Sequence, residues 1–267
     1  MNIPTSLIIT TYNRPDALNI VLHSVRNQTV LPHEIIIADD GSGKATADMI
    51  EHWSKDQRIG QLIKHVWQPD DGFKLSAIRN KAIAASNGEY IIMVDGDMML
   101  HRRFIEDHIK VISQGYAVKG NRIRLNEETT KQICESTVSK NISPFSKGIL
   151  KDRIKAFRVN LLSKMFYNFK PESYYAVGSN MAFWRKDAIA VNGFEELFNG
   201  WGHEDSDFLF RLSRIGIKKR DLRFAALQYH LYHPQNSSNG LNNLEALKKR
   251  NAEKIVKANK GINQYLA

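Results

Sequence analysis

A chain of 267 residues, 42% hydrophobic and 25% charged, is long enough to bury one substantial core, and its balance excludes both a disordered polymer and a membrane bundle. A single cysteine, Cys134, excludes an internal disulfide and any cysteine-built metal cluster, which fits a reducing compartment. The formal charge of +10 admits nucleic acid, anionic lipid or an anionic substrate as partner; much of it lies between Lys140 and Lys170, where eight basic residues face one acid, Asp152.

Leu7, Ile8 and Ile9 predict a first buried strand ending at Thr10-Thr11-Tyr12, and Pro15 suits the first turn of a helix through about Asn27. Ile35 to Ala38 predict a second strand, closed by Asp39-Asp40-Gly41-Ser42. A further helical stretch, a strand at Leu62 to Trp67 and an alanine-rich helix over Ala77 to Ala85 follow. Tyr90 to Val94 then form a strand stopped by Asp95-Gly96-Asp97. Continuous apolar strands separated by helices indicate an α/β fold whose mostly parallel sheet is covered on both faces. Ligands of such sheets collect outside the carboxyl ends of the strands, where all these polar tripeptides fall.

Residues 126–171 are less regular and read as an insertion. Within it Leu150, Ile154, Phe157, Leu161 and Met165 recur at helical spacing and predict an apolar helix face amid the cations. From Tyr174 the pattern is regular again, through Gly178-Ser-Asn-Met-Ala-Phe-Trp184, and a basic helix from about Leu241 to Lys260 closes the chain. No internal repeat is present.

Asp95 and Asp97, two residues apart at a strand end, can share a hard divalent cation that neutralises a departing diphosphate; Asp-Gly is equally a common tight turn. Thr10-Thr-Tyr-Asn-Arg14, Asp39-Asp-Gly-Ser42 and Gly88-Glu-Tyr-Ile-Ile-Met-Val-Asp-Gly-Asp97 together resemble the family 2 glycosyltransferases of GT-A fold. The run Gly193-Phe-Glu-Glu to Trp201-Gly-His-Glu-Asp-Ser-Asp207 resembles the carboxyl-terminal part shared by galactosyltransferase-like enzymes and bacterial capsule and chondroitin polymerases.

That resemblance implies a single GT-A domain: a nucleotide-sugar half (1–122), the basic insertion (126–172), an acceptor and catalytic half (174–240) and a C-terminal helix (241–267). It implies that Thr10, Tyr12 and Arg14 line the donor site, that Asp40 accepts a hydrogen bond from uracil, and that Arg79 lies near the donor phosphates. Arg79 also reads as a solvated cation on a helix surface. Asp95 and Asp97 would serve the metal, with His230 as a third ligand and His233 as the reserve. An imidazole among carboxylates suits manganese better than magnesium, though magnesium remains an option. Asp205 would be the base that takes the acceptor hydroxyl proton, and Glu204 an acceptor ligand. The same acids also suit a helix N-terminus. Trp201 offers a face for a sugar ring or for core packing. His203 stands where the commoner pattern has a second glycine.

The implied reaction is inverting transfer of a hexose or N-acetylhexosamine from a UDP-sugar to a saccharide or lipid-linked saccharide in bacterial surface polysaccharide or lipopolysaccharide synthesis. Without a basic leader or a span of roughly 18 apolar residues, the expected location is cytoplasmic, and the basic insertion allows a peripheral contact with anionic membrane. The rival readings are a nucleotidyltransferase, which lacks here the glycine-rich basic loop after its first strand, and a basic nucleic-acid-binding protein, which leaves the acidic strand ends unexplained.

Overall fold

A computed structural model of the chain describes residues 3–136, 140, 142–159, 162–163, 165, 178–234 and 240–266. The apolar runs become strands β1 (Thr5–Thr11), β2 (Glu34–Asp39) and β4 (Tyr90–Asp95), with β3 (Ile63–Trp67) at the edge. Burial along β1 and β2 is uninterrupted because both faces are covered: Leu7, Ile9, Ile35 and Ile37 pack into one core layer, Ile8 and Ile36 into the other. Helices α1 (Pro15–Arg26), α2 (Lys44–Ser54) and α3 (Leu75–Ala85) make the crossovers, with Pro15 in the first turn of α1.

Further along lie β5 (Met98–Leu100), α4 (Phe104–Ile109), β6 (Tyr116–Lys119), β7 (Ile123–Leu125), α5 (Glu127–Ser136) and β8 (Ile149–Lys151). After these come β9 (Asn180–Trp184), α6 (Arg185–Ala190), α7 (Glu204–Arg214), β10 (Lys218–Asp221), β11 (Gln228–His230) and α8 (Gly240–Ala252). The main sheet has seven strands in the order β10-β6-β9-β4-β1-β2-β3; β9 is antiparallel to both neighbours, and the other pairs are parallel. A second sheet, β5-β11-β7-β8, stands beside it.

Two expectations are corrected. The helical spacing from Leu150 to Met165 does not mark a helix where it begins: β8 pairs antiparallel with β7, and Asp152 at φ 70° turns the chain into a single 3-10 turn at Arg153–Ala156. The strand alternation buries Ile149 and turns Leu150 outward, so Leu150 (57% exposed), Ile154 (74%) and Met165 (72%) face solvent instead of a core. Leu161 and residues 166–177, Tyr174 included, lie outside the described residues. The last helix ends at Ala252 and does not run to Lys260, because the backbone N–H groups of Asn259 and Lys260 are drawn to the buried Glu195 carboxylate. Among the described residues no helix is long and apolar enough to cross a membrane.

Candidate active site

The parallel register sets Thr10 opposite Asp95 at the carboxyl edge, where the Thr10 hydroxyl donates to Asp95 Oδ1 at 2.9 Å. Gly96 then turns the chain sharply: its N–H donates to the Thr10 carbonyl at 2.6 Å, and a Cβ there would lie 2.8 Å from that oxygen. The turn leads from Asp97 into β5, whose antiparallel partner β11 places His230 opposite Met98. As a result Asp97 Oδ2 lies 3.4 Å from His230 Nε2 and 3.3 Å from His233 Nε2. One potential ligand atom from each of the three residues lies within 4.8 Å of the others.

Burial alone would raise the Asp97 carboxyl, but hydrogen bonds from the two imidazoles hold it below the usual carboxylate range; the same bond raises His233. Asp97 Oδ1 is buried without a partner, and one carboxylate with two imidazoles is a donor set that a transition-metal dication fits. The structure thus brings together both histidines between which the sequence left a choice. Asp95 is not one of the three converging groups, since its Oδ1 faces Thr10 and Arg79. Arg14 Nη1 lies 3.6 Å from the same oxygen, Asp97 Oδ2.

Arg79 is no solvated surface cation. Its buried guanidinium donates to Glu204 Oε1 at 2.8 Å, reaches Asp95 Oδ1 at 3.4 Å and lies 5.3 Å over the Phe194 ring. It therefore ties the strand carrying Asp95 to helix α7. The loop before β9 must pass close: a Cβ on Gly178 would sit 2.8 Å from Arg79 Nη2. Gly178 N–H in turn donates to Asp205 Oδ2 at 2.8 Å, while Ser206 N–H donates to Oδ1 at 2.6 Å.

Helix α7 opens at His203, a non-glycine residue at φ 74°, and its acids divide by direction. Glu204 and Asp205 line the cavity, whereas Asp207 turns inward to Arg211 (2.7 Å) and Arg250 (2.9 Å) and ties α7 to α8. Burial, reinforced by the neighbouring charge of Asp205, pushes the Glu204 carboxyl up to about 7 against the opposing pull of Arg79.

At the other end Asp40, buried, accepts from Gln68 Nε2 at 2.5 Å and from Lys74 N–H at 2.9 Å. Burial raises its carboxyl despite these bonds. Tyr12, half-exposed, donates its hydroxyl to Asp70 at 2.9 Å. Asp39 is committed elsewhere, to His65 and to the Ser42 N–H.

All twelve residues nominated from the sequence, from Thr10 to His233, line one cavity of about 500 Å³, the size of a small-molecule site. Trp201 stands at its rim, 56% exposed, so it is not core. The sequence reading missed Phe73, Leu75, Arg122 and Ser179 in the wall. Phe73, Leu75 and Arg122 sit in no motif, whereas Ser179 follows Gly178 in the run that leads into β9; only the packing of these separate segments brings them together.

The chain matches glycosyl transferase family 2 over residues 6–186, and the pattern described as the N-terminal domain of galactosyltransferase over residues 160–234. It is 28% identical to chondroitin synthase of Escherichia coli over 246 residues, which is 86% of this chain and 35% of that protein. The chain thus spans about a third of that relative's length. Among solved structures, S. aureus TarS 1–349 in complex with UDP-GlcNAc is similar at TM-score 0.66 and 16% identity, over 98% of this chain and 69% of that one. The mannosyltransferase PcManGT of Pyrobaculum calidifontis, in complex with GDP-Man and Mn2+, is similar at TM-score 0.61 and 16% identity, over 95% and 63% of the two chains. These likenesses establish the GT-A fold, and a family match across two core layers and the whole Asp95-Gly-Asp97 edge means that the chain belongs to glycosyl transferase family 2.

Proposed function

We propose that this glycosyltransferase transfers a hexose or N-acetylhexosamine from a UDP-sugar to a saccharide acceptor, with inversion at the anomeric carbon and dependence on Mn2+, Mg2+ being the alternative ion. The convergence of Asp97, His230 and His233 in the same cavity as Asp40 and the Glu204-Asp205 pair carries this reading. The donor then lies along the strand ends, its uracil against Asp40 and Tyr12 and its diphosphate toward Asp97 and Arg14. Asp97, His230 and His233 would hold the divalent cation, which supplies the positive charge that a departing diphosphate requires.

The chain's own groups do the rest. Asp205, oriented by the N–H groups of Gly178 and Ser206, takes the proton of the acceptor hydroxyl as its oxygen attacks the anomeric carbon from the face opposite the diphosphate. Glu204, held by Arg79, accepts a second acceptor hydroxyl, and the exposed face of Trp201 stacks on the sugar ring. No covalent enzyme intermediate is needed. In this reading residues 1–122 serve the donor and 174–240 the acceptor, in bacterial surface polysaccharide or lipopolysaccharide synthesis at the inner face of the cytoplasmic membrane. The outward Leu150 and Ile154 among Lys151, Arg153 and Lys155, with Met165 also exposed, give the insertion the apolar and cationic make-up of a peripheral lipid contact.

The test is a donor screen: purified protein with Mn2+ and a panel of nucleotide sugars, following release of the nucleoside diphosphate. Turnover is expected with a UDP-sugar; turnover confined to another nucleotide would contradict the role of Asp40. The Glu204 carboxyl adds a pH signature. As pH falls through about 7 it takes up a proton and its pairing with Arg79 weakens, so activity should show an acid limb near that value. Initial rates recorded from roughly pH 5.5 to 9 should show this limb in the native enzyme and lose it in Glu204→Gln; a limb that persists there belongs to another group.

A further inference from the structure

Asp40 follows β2 and Gln68 follows β3, and the parallel pairing that sets Asp39 beside Trp67 brings the two residues side by side at the carboxyl edge. The ladder runs one step further there, since the Gln68 N–H donates to the Asp39 carbonyl at 3.2 Å. Residues at one level of neighbouring strands project to the same face, so the Gln68 amide meets the Asp40 carboxylate, with Nε2 2.5 Å from Oδ1. The chain then loops through residues 69–73 and returns at Lys74, whose N–H donates to Asp40 Oδ2 at 2.9 Å. That loop presses on the turn after Asp40: a Cβ on Gly41, at φ 95°, would lie 2.5 Å from the Asp70 Cα.

Both donors reach Asp40 from outside the wall of the main cavity. Asp40 lines that cavity, whereas Gln68 and Lys74 line a second hollow of about 340 Å³. A carboxylate oxygen can accept two hydrogen bonds, so one donor on each leaves Asp40 able to accept another from the cavity side. Gln68 is itself buried, and among the described residues its Oε1 has no hydrogen-bond partner. Turning the amide over would aim that oxygen at the Asp40 carboxylate, so the orientation is fixed by Asp40 although the Gln68 carbonyl goes unpaired.

The charges that act most on Asp40 are those of Asp70, bonded to the Tyr12 hydroxyl, and Asp39, bonded to His65; Lys74 Nζ is turned to Asp71 at 3.8 Å. Burial pushes the Asp40 carboxyl up and both acids add to it, while the Gln68 amide and the Lys74 N–H pull it down. The protonation state decides what Asp40 can read. Uracil presents an N3–H, which an ionised carboxylate accepts; cytosine presents a bare N3, which only a protonated carboxyl can donate to.

From this placement, and resting on the reading above in which Asp40 meets the donor base, we propose that Gln68 is a positioning residue that sets nucleobase choice: its amide holds Asp40 as a hydrogen-bond acceptor toward the cavity. The choice of uracil over cytosine then depends on a side chain outside the cavity wall. Removing that one charge-assisted bond should narrow the preference for UDP over CDP by about 10-fold.

The experiment measures UDP and CDP binding by calorimetry, with Mn2+ present, at about pH 6 and about pH 8. The two ligands carry the same diphosphate, so their affinity ratio cancels the pH dependence of the metal centre. Gln68→Met, similar in length but without a donor, should lose about 10-fold of the native preference for UDP and recover part of it at the higher pH, where Asp40 ionises. Gln68→Lys restores a donor and should keep the preference. If Gln68→Met does not fold, Gln68→Glu serves, since two carboxyls sharing a proton should cost the same preference, most at the lower pH. Equal weakening of UDP and CDP at both pH values would mean that Gln68 only holds the loop, and it overturns the proposal, as does an unchanged ratio. Asp40→Ala separates the two levels. If it keeps the native preference, the base is read elsewhere and the role of Asp40 falls; if it loses the preference while Gln68→Met keeps it, only the role of Gln68 falls.

Discussion

Asp205→Asn is expected to lower kcat by about 1,000-fold while leaving the affinity for the UDP-sugar within roughly twofold. The substitution keeps the size of the side chain and leaves an oxygen for the Gly178 or Ser206 N–H, so the loop before β9 and the start of α7 should hold their shape. What it removes is the ability to accept a proton as the acceptor oxygen attacks. A base acts mainly in the transition state, so the loss should fall on kcat rather than on donor binding. Steady-state kinetics together with calorimetry of UDP binding separate the two. A variant that turns over normally, or one that no longer binds donor, rules out the proposed role.

The second large effect concerns Asp97. Asp97→Ala, or chelation of the native protein with EDTA, should each reduce turnover by about 100-fold or more, because the cavity would lose the charge that offsets a departing diphosphate. Added Mn2+ should restore the chelated native protein but not the variant. His230→Ala and His233→Ala, each removing one of the converging imidazoles, should raise the Mn2+ concentration needed for half-maximal activity. The check is UDP release against Mn2+ concentration, with metal content measured in parallel. Full activity in EDTA would mean that Arg14 and the two histidines suffice, and the metal would drop out of the mechanism.

Asp205 and Asp97 differ in how much of their setting was readable beforehand. Asp97 could be singled out because a carboxylate pair at the end of an apolar run is local: Val94 is in the strand, Gly96 permits the turn, and the acids must emerge at the sheet edge. Asp205 could be named only through resemblance. Its neighbour Asp207 has the same chemistry and sits in the same first turn, yet is buried against Arg211 and Arg250. Two residues of helix rotate a side chain by about 200°, so one acid meets the cavity and the other the core, and nothing local says which.

The insertion shows the opposite failure. Leu150, Ile154 and Phe157 carry a helical period, but the backbone of residues 149–151 is claimed by β7, and pairing across strands overrides a periodicity that depends on side chains alone. For Arg79 the sequence left two readings open, a contact near the donor phosphates and a solvated cation on a helix surface. An arginine in an alanine-rich helix reads as surface, and only the arrival of Glu204, 125 positions later, makes its burial tolerable.

By itself the sequence determined the parallel sheet, its order of strand and helix through Asp97, and the acidic rim at the carboxyl edge, because apolar run length, glycine turns and strand ends are properties of neighbouring residues. The tertiary structure alone decided that β11 lies against β5, so that His230 and His233 face Asp97, and that Arg79 binds α7 to β4. These are contacts between segments from 16 to more than a hundred residues apart, set by which strand pairs with which and by what each buried charge then finds beside it.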